Sequence, residues 1–97
     1  MIRVLVLYPR ENGKKFDSDY YVNHHMPLVK NKLAPLKVEV DLGVDATSPY
    51  FAVSHLVFKS RDQLTAAYET AAVELLADKD QFTDIEVIRQ ISEVTEI

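Results

Sequence analysis

Two stretches of the chain, residues 2–8 (IRVLVLY) and Tyr50–Phe58 (YFAVSHLVF), are apolar on both of their alternating sides. Their β-branched and aromatic content marks them as strands, the first stopped by Pro9. Successive side chains of a strand point to opposite faces of the sheet. Ile2, Val4, Val6 and Tyr8 are thus set against Leu5 and Leu7, and Phe51, Val53 and Val57 against Tyr50, Ala52, Leu56 and Phe58. Strands of this kind belong in the middle of a sheet that is covered on both faces. Left in water, either face is an unusually large apolar patch.

The remaining segments supply the cover for one face. Residues 9–16 (PRENGKKF) are a polar loop around Gly13. Asp17 is placed as a helix N-cap, with Asp19 in the first turn, and the helix is expected from Ser18 to about Ala34, ending before Pro35. Pro27 inside it removes a backbone donor and clashes one turn back, so a kink is expected near residues 23–26. Residues 36–44 (LKVEVDLGV) alternate as a strand with one wet face, and residues 45–49 form a turn. Ser60 and Gln63 form a capping box that opens a second helix. In that helix Leu64, Ala67, Tyr68, Ala71, Leu75 and Leu76 recur at helical spacing. Residues 78–83 read as a connection, and 84–94 as a last strand whose imperfect alternation predicts a bulge or an edge position.

The order is β-α-β followed by β-α-β, in halves of similar length without repeated sequence. It fits an α+β fold, a ferredoxin-like βαββαβ sandwich in one domain over residues 1–97. Crossover handedness puts both helices on one face of an antiparallel sheet. The second face then needs another cover, and a second copy is the simplest. The expectation is a homodimer through the sheet face.

Composition excludes several classes. At 97 residues there is room for one domain. The longest apolar run, residues 4–8, is far short of the ~18–20 needed to span a bilayer, and too short for a signal-peptide core of ~7–15. The expected setting is the cytoplasm, with no membrane partner. The absence of cysteine excludes disulfides, zinc fingers, thiolate-bound clusters and a cysteine nucleophile. A net charge of −4 argues against nucleic-acid binding. Residues 1–48 hold seven bases and six acids, whereas residues 49–97 hold four and nine. The glycines are only Gly13 and Gly43, with no phosphate-cradling loop, dinucleotide fingerprint or G-x-S-x-G elbow. No cofactor and no metal site is expected.

Tyr8-Pro9, followed by Phe16-Asp17-Ser18-Asp19-Tyr20-Tyr21-Val22-Asn23-His24-His25-Met26-Pro27-Leu28-Val29, resembles the EthD-like family. The shared pattern is a strand ending in Tyr-Pro, then F-D-x-x-Y-Y-x-x-x-H-x-P-L at the start of the first helix. Phe82-Thr83-Asp84-Ile85 resembles the family's second recurrent stretch, and His55 matches a position where relatives often carry histidine. The resemblance implies a dimeric α+β barrel, in which two ferredoxin-like sheets pack face to face. It also implies cofactor-free chemistry on small cyclic compounds, since relatives include isomerases of muconolactones and decarboxylase-like enzymes. It predicts fold better than reaction.

On a helix each residue advances ~100°. With Tyr21 at zero, Val22, His25, Met26, Val29 and Leu33 share a face centred near ~70°, and His24 lies near ~300° on the polar edge. His25 is therefore expected toward the sheet and His24 toward solvent. His55 shares a strand side with Phe51, Val53 and Val57, and that side faces either the helices or a partner. If it faces the first helix, His25 and His55 converge on one pocket as general base and acid. Tyr21, one turn before His25, is the tyrosine placed in that pocket as an acid or orienting group. Tyr8 and Asp84 are candidate ligand contacts, Asp84 being a turn or capping residue first. The reading favours an acid–base enzyme of isomerase or lyase type on a small cyclic or aromatic metabolite. The alternative is a non-catalytic dimeric small-molecule-binding or accessory protein of a degradation pathway.

Overall fold

The computed structural model describes residues 1–97. Four strands, β1 (Ile2–Pro9), β2 (Lys37–Leu42), β3 (Tyr50–Phe58) and β4 (Ile88–Glu93), form one sheet in the order β2-β3-β1-β4. Every neighbouring pair is antiparallel. The two strands with apolar residues on both sides are the two central ones, as their composition requires.

Register separates the faces. Val4 pairs with Leu56 and Val6 with Ser54, and these lie buried beneath the helices with Tyr8, Ala52 and Phe58. Leu5 pairs with His55 and Leu7 with Val53 on the opposite side. No element of the chain covers that side, and its apolar residues stay half-exposed. The ferredoxin-like α+β architecture is thus present, with one covered and one open face. β2 is shorter than expected, running Lys37–Leu42, and Leu36 and Val44 beyond its ends are exposed. β4 starts at Ile88 rather than at residue 84, and it is an edge strand paired only to β1.

Helix α1 has three parts: an α turn at Ser18–Tyr20, a π-helical segment at Tyr21–His25 and an α segment at Met26–Leu33. The Asp17 carboxylate caps it by accepting from the Tyr20 N–H at 3.1 Å. The expected kink near residues 23–26 takes the form of the π segment. Pro27 cannot donate to the carbonyl of Asn23, and just before it the ladder has slipped by one residue, so that the Met26 N–H reaches Tyr21 O. The wider turn buries Tyr21 and His25 together and sends Val22 outward, against the regular-helix expectation. The helix ends on Ala34, which is left-handed at φ 46° and ψ 50°.

Helix α2 (Arg61–Lys79) is capped by Ser60, whose Oγ accepts from the Gln63 N–H. The Gln63 side chain reaches back to the Lys59 N–H, one residue before the position a capping box uses. Leu64, Ala71 and Leu75 bury against the sheet, whereas Leu76 is largely exposed. The helix continues through Asp78, which the sequence placed in a connection.

Candidate functional site

The entry to α1 is positioned by a seam between two loops distant in sequence. The Asp17 N–H donates to Phe82 O at 2.8 Å, and the Thr83 hydroxyl donates to Lys15 O at 2.6 Å. The same hydroxyl accepts from the Ile85 N–H at 3.1 Å, and the Asp84 carboxylate accepts from the Lys15 N–H at 2.9 Å. That backbone bond, the largest influence on Asp84, holds its carboxyl below the usual value. Asp84 is exposed and does not wall the cavity described below; its carboxylate holds the Lys15 loop, apart from the other candidates.

Behind the seam stands a cluster of rings. Phe82 is fully buried, with the rings of Tyr8, Phe16, Tyr20, Tyr21 and His25 between 4.6 and 6.3 Å away. The Tyr21 and His25 rings stack at 5.8 Å, an arrangement set by the π turn. Tyr21 is completely buried, yet its hydroxyl has no hydrogen-bond partner. Burial pushes the Tyr21 phenol up to about 12, against the draw of the nearby Ser54 and Tyr8 hydroxyls. Burial, and then the Tyr21 phenol, push Tyr8 well above its usual value. Both phenols are protonated donors at neutral pH.

His25 is buried, and His24 beside it is exposed, as the helix faces predicted. Nδ1 of His25 donates to Oδ2 of Asp78 at 2.8 Å, and the Tyr20 hydroxyl donates to Oδ1 of the same carboxylate at 2.8 Å. A carboxylate only accepts, so the proton sits on Nδ1 and Nε2 carries the free lone pair. Burial lowers the imidazole pKa more than the Asp78 bond and charge raise it, leaving His25 a neutral base at pH 7. Burial works to raise the Asp78 carboxyl, but the bonds from His25 and Tyr20 outweigh it, and Asp78 stays ionised.

His25 walls a cavity of about 90 Å³ between the helix layer and the sheet. Val6 and Tyr8 of β1 and Ser54 and Leu56 of β3 form its floor, and Val29 and Leu75 lie on its helix side. Such a volume takes several waters or part of a small ring; a cavity of about 150 Å³ accepts benzene. No three His, Asp or Glu side chains are gathered where they could hold a metal ion.

His55 does not join His25. It lies on the open face of the sheet, with Nε2 2.7 Å from Oδ2 of Asp41 on β2. Of the five predicted site residues, the structure brings together His25, Tyr21 and Tyr8, and leaves His55 and Asp84 elsewhere. Asp78 was missed by sequence reasoning. The signal was present: Ala71 and Leu75 lead at helical spacing to position 78, where a carboxylate stands in an apolar series.

The sheet order and the two helices on one face define the class: a ferredoxin-like α+β protein, with a carboxylate-held imidazole walling an inner cavity. The EthD domain model matches residues 13–86, and the chain belongs to the EthD family. An EthD-like protein from Ralstonia eutropha JMP134 is 34% identical, with a TM-score of 0.86 over 98% of this chain and 92% of that one. An ethyl tert-butyl ether d (EthD) family protein from Bacillus halodurans C-125 is 18% identical, with a TM-score of 0.78 over 98% of this chain and 99% of that one. A dimeric ferredoxin-like protein of unknown function from Thermobifida fusca YX shares the fold at 19% identity and a TM-score of 0.58, over 96% and 90% of the two chains. No curated protein matches the chain. No helix is long and apolar enough to cross a membrane.

Proposed function

We propose that this protein is a cofactor-independent acid–base enzyme of isomerase or lyase type, acting on a small cyclic or aromatic metabolite. The observation that carries this reading is the His25–Asp78 pair. The carboxylate fixes the tautomer, burial keeps the ring neutral, and the imidazole walls an apolar cavity. A base of this kind removes a proton from a carbon acid held in the cavity and returns it at a second carbon, an isomerisation. In a decarboxylation it takes the carboxyl O–H proton, the C–C bond breaks, carbon dioxide leaves, and the imidazolium protonates the carbon that keeps the electron pair. Tyr8 and Ser54, on the same walls, are the hydroxyls placed to hold a substrate oxygen. Tyr21 sits behind them as an orienting group. His55 takes no part in this site. The half-exposed side of the sheet supports a homodimer through that face.

The test is a panel of small lactones, cyclic enones and aromatic keto acids, incubated with enzyme in deuterium oxide and followed by NMR. Isomerisation, decarboxylation or deuterium uptake is expected for at least one compound, lost in His25→Gln and retained in His24→Gln. The second reading, a non-catalytic binder, is favoured by one observation: only one imidazole reaches the cavity. Binding without turnover across the panel would establish it.

A further inference from the structure

We propose that the cavity's ligand is an anion, and that Arg89 recognises its negative group, a carboxylate or an equivalent planar oxyanion. This rests on the small-molecule reading of the cavity given above.

The wall charges are one-sided. Besides the apolar side chains and the hydroxyl-bearing Tyr8, Ser54 and Tyr68, His25, Lys79 and Arg89 reach the cavity, and no carboxylate walls it. Asp78 is committed to His25 and Tyr20. This is not the average of the chain: residues 49–97 hold nine acids and four bases, and two of those four bases are Lys79 and Arg89. An acidic half of the molecule places half its cations at one cavity.

Arg89 is the better placed of the two for recognition. It lies on β4 opposite Val6, on the helix side of the sheet edge. Its guanidinium carbon is 4.9 Å from the centre of the Tyr68 ring, and no acidic side chain forms an ion pair with it. A guanidinium held over a ring keeps its in-plane N–H groups free, in the fork that fits a carboxylate. The same two residues wall a larger groove of about 410 Å³ between α2 and β4. Arg89 and Tyr68 therefore stand at the junction of cavity and groove. Glu69 and Arg61 line only the groove side. A ligand whose ring enters the small cavity toward Val6 and Leu56 leaves its anionic group at that junction, where the guanidinium is exposed and unpaired. The groove supplies the room that the cavity alone lacks.

The bland alternative is an edge-strand cation resting on a tyrosine, which protects the edge and reads nothing. Matched probes separate the two. Benzoate and 1-naphthoate are titrated against their neutral isosteres benzamide and 1-naphthamide, with binding followed by NMR at His25 and Tyr8. The wild-type protein is expected to bind each acid at least about tenfold more tightly than its amide. In Arg89→Gln the preference should fall below about threefold while amide binding is unchanged. Arg89→Lys should keep part of it, since lysine offers charge without the fork. Equal affinity for acid and amide overturns the anion proposal and leaves the cavity reading standing. So does a preference that survives Arg89→Gln, or one that is lost in Lys79→Gln instead. Failure of all four probes to move the His25 and Tyr8 signals removes the cavity reading and this proposal together.

Discussion

Asp78, in the last turn of α2, accepts a hydrogen bond from Nδ1 of His25 at 2.8 Å, across 53 residues of sequence. The second carboxylate oxygen is held by Tyr20, four residues after the loop position Phe16 that pairs with Thr83. The imidazole is thus fixed from both sides: by the loop seam that starts its helix and by the end of the other helix. A core built only for stability has no use for a buried base whose second nitrogen is unpaired.

Replacing Asp78 with Asn tests that relationship. The amide is isosteric but uncharged, so His25 loses both the charge and the strong acceptor that oppose burial. The imidazole pKa is expected to fall further below 6.5, read by NMR titration of the ring protons. Turnover should fall by about 10²–10⁴-fold, with ligand affinity changed by less than about threefold. An unmoved titration shows that the carboxylate does not control the ring.

The sign of the pH dependence follows from the same shifts. His25 has a lower pKa in the fold than the unfolded value of 6.5. Between those two values the unfolded chain binds more protons, so stability rises with pH there. It is complete above about 6.5 and declines as the pH falls toward the folded value. Asp78, also depressed, adds stability above 3.8 that is lost as the pH falls through its folded value. Urea midpoints at about pH 7.5 and pH 5.5 should differ in the wild type and differ less in His25→Gln.

Phe82 should be the costliest single truncation in the site. Its ring is fully buried among Tyr8, Phe16, Tyr20, Tyr21 and His25, and its carbonyl holds the Asp17 N–H. Phe82→Ala is expected to cost about 3–5 kcal/mol in chemical denaturation. Asp84→Asn, which weakens only an exposed bond, should move the denaturation midpoint far less than Phe82→Ala.

The folding pattern was legible wherever it depends on local periodicity. β3, the Asp17 and Ser60 caps and the opposite exposure of His24 and His25 all follow from side-chain spacing. The π segment was not legible, because a wheel at ~100° per residue cannot show a slipped ladder. That slip is why Val22 turns out and Tyr21 stacks on His25. The face taken by His55 depends on strand register, which is a long-range property. Asp78 and Arg89 were missed for a related reason: an acid in a helix's last turn and a base on an edge strand look like surface until the tertiary fold sets the one against His25 and the other at the cavity wall.

A left-handed alanine closes α1. Ala34 has φ 46°, and its N–H bonds to Lys30 O at 3.0 Å. A side chain costs about 1–2 kcal/mol in this conformation, and glycine gives back about half of that gain through its freer unfolded chain. Ala34→Gly should therefore stabilise by about 0.5–1 kcal/mol and raise Tm by a few degrees. Ala34→Val, with a branched side chain, should lower it.

The open face of the sheet predicts the assembly. Leu5, Leu7, Val53 and Val57 lie there half-exposed around His55, which is bonded to Asp41. Apolar side chains arranged over two central strands are the composition of an interface core, and stable interfaces of the obligate kind bury about 2,000 Å² or more. Light scattering at micromolar concentration is expected to give twice 11.1 kDa. Leu7→Glu sets a charge against its own symmetry-related surroundings in a sheet-to-sheet pair, and should shift the protein to monomer, with the apparent stability becoming concentration-independent. A wild-type protein that stays a folded monomer at these concentrations shows that the face serves something other than a second copy.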